Sequence, residues 1–134
     1  MIIRGTTPYH NFILPILVEQ IGAVYVTYLQ NEEVILDKSS LREGEIDIRN
    51  LSDLENANVE ILTEEELNSC QLTIHLTQED TLKFHFYPAA RKNIAVIQIR
   101  LLTKDGESFA SMPVNERIFG VLHDGTIPDE EENE

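Results

Sequence analysis

The chain has 134 residues, of which 42% are hydrophobic, and a formal net charge of -14 at pH 7. A domain of this size buries roughly two thirds of its unfolded surface, so its core needs no disulfide, and the single cysteine excludes an internal one. The ten basic residues are dispersed, which argues against a nucleic-acid partner, and the longest apolar run, residues 12–18, is too short to cross a membrane.

The acidic residues are concentrated in two segments. Residues 43–66 contain nine acids and one base, and residues 129–134 contain five acids, which leaves a charge of only -1 on the rest of the chain. This distribution predicts a single domain over residues 1–122 that carries an acidic insertion at 39–69, followed by an acidic C-terminal tail at 123–134.

Alternation of apolar and polar residues predicts two strands and a hairpin in the first forty residues. Residues 9–14 form the first strand, which Pro15 ends because proline cannot donate a backbone hydrogen bond to a neighbouring strand. Residues 21–29 form the second strand. A polar turn at residues 30–31 then leads into a short strand at 34–36, which predicts a hairpin.

The pattern changes in the acidic insertion, where short apolar pairs alternate with acids. Two spacings there are typical of capped helix starts, Ser52 with Glu55 and Thr63 with Glu66. The insertion is therefore predicted to form either short helical turns or a small extra hairpin.

The second half of the chain returns to strand patterns. Residues 71–76 alternate cleanly, and Thr77 follows as a helix cap with Asp80 three positions later, which predicts one helical turn. Residues 94–103 form the most apolar predicted strand. The remaining predicted elements are a tight turn at Asp105-Gly106, a return strand at 107–112 and a last extended or partly helical segment at 114–122.

About seven short strands without a long amphipathic helix predict an all-β fold. An antiparallel β-sandwich of immunoglobulin-like type, with short helical turns in the acidic insertion, accounts for the pattern best. A barrel remains the alternative, since short strands with regular turns are typical of both architectures.

The candidate reactive side chains do not form a recognisable catalytic or metal-binding motif. The four histidines are scattered along the chain: His10, His75, His85 and His123. They lack the spacing that gathers metal ligands and are interpreted as structural or surface residues, with His75 and His85 the pair best placed to meet across strands. Cys70 is interpreted as a small buried residue, and the acids at 64–66 as a solvated first helical turn. We therefore predict no catalytic, cofactor-binding or metal site and no enzymatic activity.

The aromatic side chains allow a second interpretation. Seven of them are candidates for a sugar-binding platform: Tyr9, Phe12, Tyr25, Tyr28, Phe84, Phe86 and Tyr87. Their spacing along strands favours core packing for most of them, and tryptophan is absent. A carbohydrate-binding or host-recognition module is therefore the alternative function.

Three separate stretches carry a resemblance to known proteins. They are residues 1–8, MIIRGTTP, followed by Phe12; residues 76–84, LTQEDTLKF; and residues 97–103, IQIRLLT, followed by Asp105-Gly106 and Ala110-Ser111. In order and spacing they resemble a group of small proteins that tailed phages and prophages of gut-type bacteria encode among their tail and baseplate genes. The resemblance covers most of the chain outside residues 39–69 and the tail after Val121.

The resemblance implies an assembly role. It implies a β-sandwich similar to the N-terminal module of upper baseplate proteins, made in the host cytoplasm and incorporated into the virion. The implied partners are other phage structural proteins, with copies of the chain in a homo-oligomer or ring, and no catalytic residue or cofactor is implied. Sandwich edges can pair with neighbouring chains, so residues 4–8 are either an edge strand or arm for assembly or an ordinary structured N-terminus.

Overall fold

The computed structural model describes residues 1–89, 93–111 and 113–120. The described residues form nine strands and two short helices. In chain order these are β1 (Ile2–Ile3), β2 (Tyr9–Leu14), β3 (Ile21–Gln30), β4 (Glu33–Ser39), β5 (Ile46–Asn50), α1 (Glu64–Leu67), β6 (Cys70–His75), α2 (Gln78–Leu82), β7 (Ile94–Thr103), β8 (Ser108–Ala110) and β9 (Val114–Phe119). The predicted tail at 123–134, with His123, lies outside the described residues.

The larger sheet has the strand order β1-β9-β7-β3-β4, and β8 also pairs with β7. Its pairs are antiparallel except for β1 and β9, which run parallel with Ile2 beside Ile118. Because β3 occupies one edge of β7 from Val96 to Thr103, β8 and β9 follow one another along the other edge.

The smaller sheet has the antiparallel order β2-β6-β5 and packs on the larger sheet. The prediction of an all-β sandwich is therefore confirmed. Both outer strands of this sheet, β2 and β5, have β6 as their only paired neighbour among the described residues.

The core lies between the two sheets, where the inward positions of each strand are buried. Leu72 and Ile74 of β6 face Val26 and Tyr28 of β3, and all four are fully buried, as the alternation in the sequence predicts. Full burial of one such side chain stabilises the fold by about 1.5–3 kcal/mol, so this layer of packed side chains stabilises the sandwich.

Both predicted turns are present, although the first lies at residues 31–32, one position later than the sequence predicts. Between β3 and β4, Asn31 and Glu32 both have positive φ, 52° and 66°, as in the two-residue turns that match strand twist. The predicted turn at Asp105-Gly106 joins β7 to β8, and Gly106 has φ 88°, a conformation that glycine adopts without steric cost.

Both helices begin at the threonines that the sequence indicates. The Oγ1 of Thr63 accepts from the N–H of Glu66, and that of Thr77 from the N–H of Asp80, each at 3.1 Å. Ser52 does not cap a helix and lies in a single 3-10 turn. No helix of the described residues has the length and apolar character of a membrane crossing.

Part of the predicted acidic insertion belongs to the sandwich itself. β5 pairs with β6 over its whole length and closes the smaller sheet, with Ile46 and Ile48 packed against the core. Asp47 and Arg49 alternate with them on the outer surface and form an ion pair at 3.1 Å. The sequence does not clearly indicate this strand, because charged residues at its outward positions separate the apolar residues at its inward positions.

The N-terminal segment is an ordinary structured part of the domain. β1 forms an edge of the larger sheet, and the residues after it pack on α2. The Oγ1 of Thr81 accepts from the N–H of Gly5 at 2.9 Å and donates to the carbonyl of Thr6 at 2.8 Å. The chain from Arg4 to Pro8 is therefore held against the domain and does not form a free arm.

Candidate functional site

The three described histidines, His10, His75 and His85, each contact a different tyrosine. His75 stacks on Tyr9, with ring centroids 4.5 Å apart, and His85 stacks on Tyr87 at 6.0 Å. The prediction that His75 and His85 are the pair best placed to meet is therefore wrong, because each ring packs against a tyrosine of its own. No group of three or more His, Cys, Asp or Glu residues that could hold a metal ion occurs in residues 1–89, 93–111 and 113–120.

His10 links the two sheets from a buried position. Its Nδ1 lies 2.8 Å from the hydroxyl of Tyr28, which belongs to the larger sheet. Burial lowers the pKa of His10 below its ordinary value of 6.5, and the nearby carboxylate of Glu116 acts in the opposite direction. His10 is therefore a structural residue that resists protonation.

This burial predicts a pH-dependent stability. Below pH 6.5 the unfolded chain protonates His10 while the folded chain does not, so the free energy of unfolding falls as the pH falls from 6.5 toward the lower folded pKa. Urea denaturation at about pH 7.5 and about pH 5.5 measures this loss, and His10→Gln should reduce it. His75→Gln, on the outer face, is the control and should keep the wild-type loss; an unchanged loss in His10→Gln contradicts the prediction.

A buried ion pair joins β4 to α2. The Nζ of Lys38 lies 2.7 Å from Oδ2 of Asp80, and the N–H of Thr77 donates to the same oxygen at 2.9 Å. Burial by itself raises the pKa of the Asp80 carboxyl, but the hydrogen bonds from Lys38 and Thr77 outweigh it and hold the pKa below its ordinary value. All members of this cluster are bonded to one another, so it stabilises the domain and offers no free reactive group.

Two other predicted assignments agree with the structure. Cys70 is fully buried at the start of β6, and this burial raises the pKa of its thiol, which makes it a weak nucleophile at neutral pH. The acids Glu64, Glu65 and Glu66 form the capped first turn of α1 and contain no buried carboxylate. Neither feature provides a site for chemistry.

An open groove lies between the end of β2 and the β7–β8 hairpin. Its volume is about 600 Å³. Apolar side chains of both sheets and of the segment after β2 line it, among them Ile13, Leu14, Ile16, Ile99, Leu101 and Phe109. We call this feature the β2–β8 groove.

The groove exists because the smaller sheet is narrower than the larger one. Phe109 of β8 lies directly opposite Leu101 of β7, so both side chains project from the sheet face that the smaller sheet covers. Among the described residues the smaller sheet ends at β2 and does not extend as far as β8. Phe109 consequently remains 53% exposed. Ile13, on the other side of the groove, is 64% exposed for a different reason, because it occupies an outward position of β2.

The backbone of β2 has an unpaired edge along this groove. The N–H of Leu76 donates to the carbonyl of Pro8, and in antiparallel pairs such bonded positions alternate with unbonded ones. The backbone groups of Tyr9, Asn11 and Ile13 therefore point away from β6. Within the described residues these groups have no backbone partner.

The same alternation applies to β8. The N–H of Ser111 donates to the carbonyl of Ile99 at 2.8 Å, and that of Thr103 to the carbonyl of Glu107 at 2.9 Å. Ser108 and Ala110 lie between these bonded positions, so their backbone groups point to the open edge. In the part of the chain that the structure describes, no strand pairs with that edge.

The polar rim of the groove is acidic. Asp105 and Glu107, in the turn between β7 and β8, both line it, whereas no lysine or arginine of the described residues does. Neither carboxylate forms an ion pair with a described residue. The groove thus combines an apolar floor, two unpaired strand edges and an uncompensated negative rim.

Comparison with known proteins does not assign the chain to a family. No family model, no curated protein and no solved structure matches it. The side chains and backbone groups of the groove are therefore the evidence for what it can bind.

Proposed function

We propose that the chain is a structural protein of the tail or baseplate region of a tailed phage, and that it acts through protein–protein contacts at its strand edges. The observation that carries the proposal is the β2–β8 groove, where Ile13 and Phe109 remain exposed beside two unpaired backbone edges. Exposed apolar side chains beside free edges are typical of surfaces at which another chain adds a strand.

The location in a phage particle is supported by the sequence resemblance. The stretches at residues 1–8 and 76–84 are similar to those of small proteins encoded among tail and baseplate genes, and the fold is an all-β sandwich as that resemblance implies. In the domain these two stretches pack together through the hydrogen bonds of Thr81 with Gly5 and Thr6. The segments that carry the resemblance thus form one structural unit.

The distribution of exposed aromatic side chains favours assembly over sugar binding. Tyr9 lies on the outer face of the smaller sheet, Tyr25 on the outer face of the larger sheet, Tyr87 in the loop before β7 and Phe109 in the groove. Among the described residues, no two of these four rings stack on each other. A sugar platform requires aromatic rings on one surface, whereas strand addition requires free edges.

The location is tested on purified particles. An antibody raised against the chain is applied to tailed particles from cells that carry the gene, after separation from soluble protein on a density gradient. We expect the chain to sediment with the particles and gold-labelled antibody to bind near the tail or baseplate. Pre-immune serum is the control. Complete particles that lack the chain, with all of the chain left in the soluble fractions, would contradict the proposed function.

A further inference from the structure

We propose that the β2–β8 groove binds an extended segment of a different protein, which adds to β2 as a fourth strand of the smaller sheet. The segment has alternating apolar side chains and a lysine or arginine at the end that meets the turn at Asp105 and Glu107. This inference rests on the proposed function, because it names the partner that the exposed edge takes.

The backbone of β2 defines how the segment binds. The N–H and C=O groups of Tyr9, Asn11 and Ile13, which no described residue pairs, recur at every second residue, which is the repeat at which a strand forms its hydrogen bonds. A segment of five or so residues can therefore pair with β2 along its described length. Main-chain bonds of this kind supply affinity without requiring a particular sequence.

The apolar floor of the groove selects the side chains of the segment. A strand beside β2 lies over the inner face of β8, where Phe109 is 53% exposed beside the partly buried Leu101 of β7. Every second side chain of the segment points toward this face. Apolar residues at those positions cover Phe109 and complete the layer of side chains between the two sheets.

The acidic rim selects a basic residue and disfavours a second copy of this chain. Asp105 and Glu107 line the groove with no cation among its lining residues. Two copies with a net charge of -14 each would bring further negative charge to this rim, which opposes their association there. A cationic side chain on a different protein instead neutralises it.

The proposal is tested by crosslinking in assembled particles. The photoreactive residue p-benzoylphenylalanine replaces Phe109, the particles are purified and irradiated, and the crosslinked peptides are identified by mass spectrometry. We expect one product, between position 109 and a segment of another virion protein that alternates apolar residues and contains lysine or arginine. The same residue in place of Tyr25, on the outer face of the larger sheet, is the control and should not crosslink to that segment.

Two changes in the groove test how the segment binds. Asn11→Pro removes a backbone donor at the free edge of β2, and the loss of one such bond, about 1.4 kcal/mol, should lower the crosslink yield about tenfold. Asn11→Ala is its matched control, since it removes the same amide side chain, which bonds Thr73, but keeps the N–H. Asp105→Lys combined with Glu107→Lys reverses the rim charge and should also lower the yield.

The outcomes separate this proposal from the proposed function. The groove proposal is overturned if particles contain the chain but position 109 crosslinks to a second copy, to a segment without basic residues, or to nothing. The proposed virion role is unaffected by these outcomes. An equal yield from Asn11→Pro and Asn11→Ala overturns strand addition on β2. If the chain is missing from wild-type particles, the proposed function itself fails, which the gradient shows before any crosslinking.

Discussion

Replacing Lys38 by methionine is expected to lower the free energy of unfolding by about 3 kcal/mol, because the change leaves the Asp80 carboxylate buried without its partner. The pair connects β4 to α2, and the two side chains are only 10% and 12% exposed. Methionine fills a similar volume, so the loss reports the missing charge and not a cavity. Urea denaturation at neutral pH measures it.

A second change distinguishes this explanation from general damage. Asp80→Asn in the Lys38→Met background removes the uncompensated charge and should restore part of the lost stability. Arg42→Met, in the turn after β4, is the control, because Arg42 is 50% exposed in its ion pairs with Asp37 and Glu45 and its loss should leave the unfolding curve almost unchanged. A double variant less stable than Lys38→Met would contradict the proposed role of the charge.

The second large effect is expected for Phe84→Ala, with a loss of about 3–5 kcal/mol. Phe84 is fully buried and meets the ring of Tyr28 edge-to-face, with centroids 5.9 Å apart. Alanine removes this contact and leaves a cavity next to α2. Because such a loss can approach the whole stability of a small domain, Phe84→Leu provides a milder variant, with an expected loss of roughly 1–2 kcal/mol.

Phe109→Ala is the matched control for this prediction, because it should leave the stability almost unchanged and affect assembly instead. Its ring is 53% exposed in the β2–β8 groove, so the unfolding free energy should change by less than about 0.5 kcal/mol. The same change should weaken incorporation of the chain into particles, since it removes the floor on which the partner segment packs. Equal losses of stability for Phe84→Ala and Phe109→Ala would show that the two rings are not distinguished by burial.

Much of the fold follows from the alternation of side chains. The sequence predicts Val24, Val26 and Tyr28 on one face of a strand, and the structure buries all three. The predicted bounds of β2 and β7 agree with the structure, and so do the capped turns at Thr63 and Thr77. These features depend on residues near one another in the chain, which is why a single sequence can reveal them.

The features that were missed depend on contacts between distant segments. The partner of Asp80 is Lys38, 42 residues away. Lys38 lies two residues after the buried Leu36 and therefore on the same, inward face of β4. That position is the signal in the sequence, because a buried lysine requires a partner. The parallel pairing of β1 with β9 and the extra strand β5 likewise arise from long-range pairing.

The groove was missed for a related reason. The sequence predicts that a sandwich has open edges, but it does not give the widths of the two sheets. Phe109, in a short return strand, is the residue that the narrow sheet leaves exposed, whereas Ile13 is exposed at an outward position of β2. Each of them by itself is an ordinary exposed apolar residue, and only the packing of the sheets places them on opposite sides of one groove.

The parallel pair of β1 and β9 also determines how early in synthesis β1 can join the larger sheet. Ile2 is fully buried beside Ile118, so its site does not exist until more than a hundred further residues have left the ribosome. Until then the first strand remains an exposed apolar segment, and contacts of such long sequence separation are formed slowly. The hairpin of β3 and β4 pairs residues that are close in the chain, so we expect it to form before β1 joins β9.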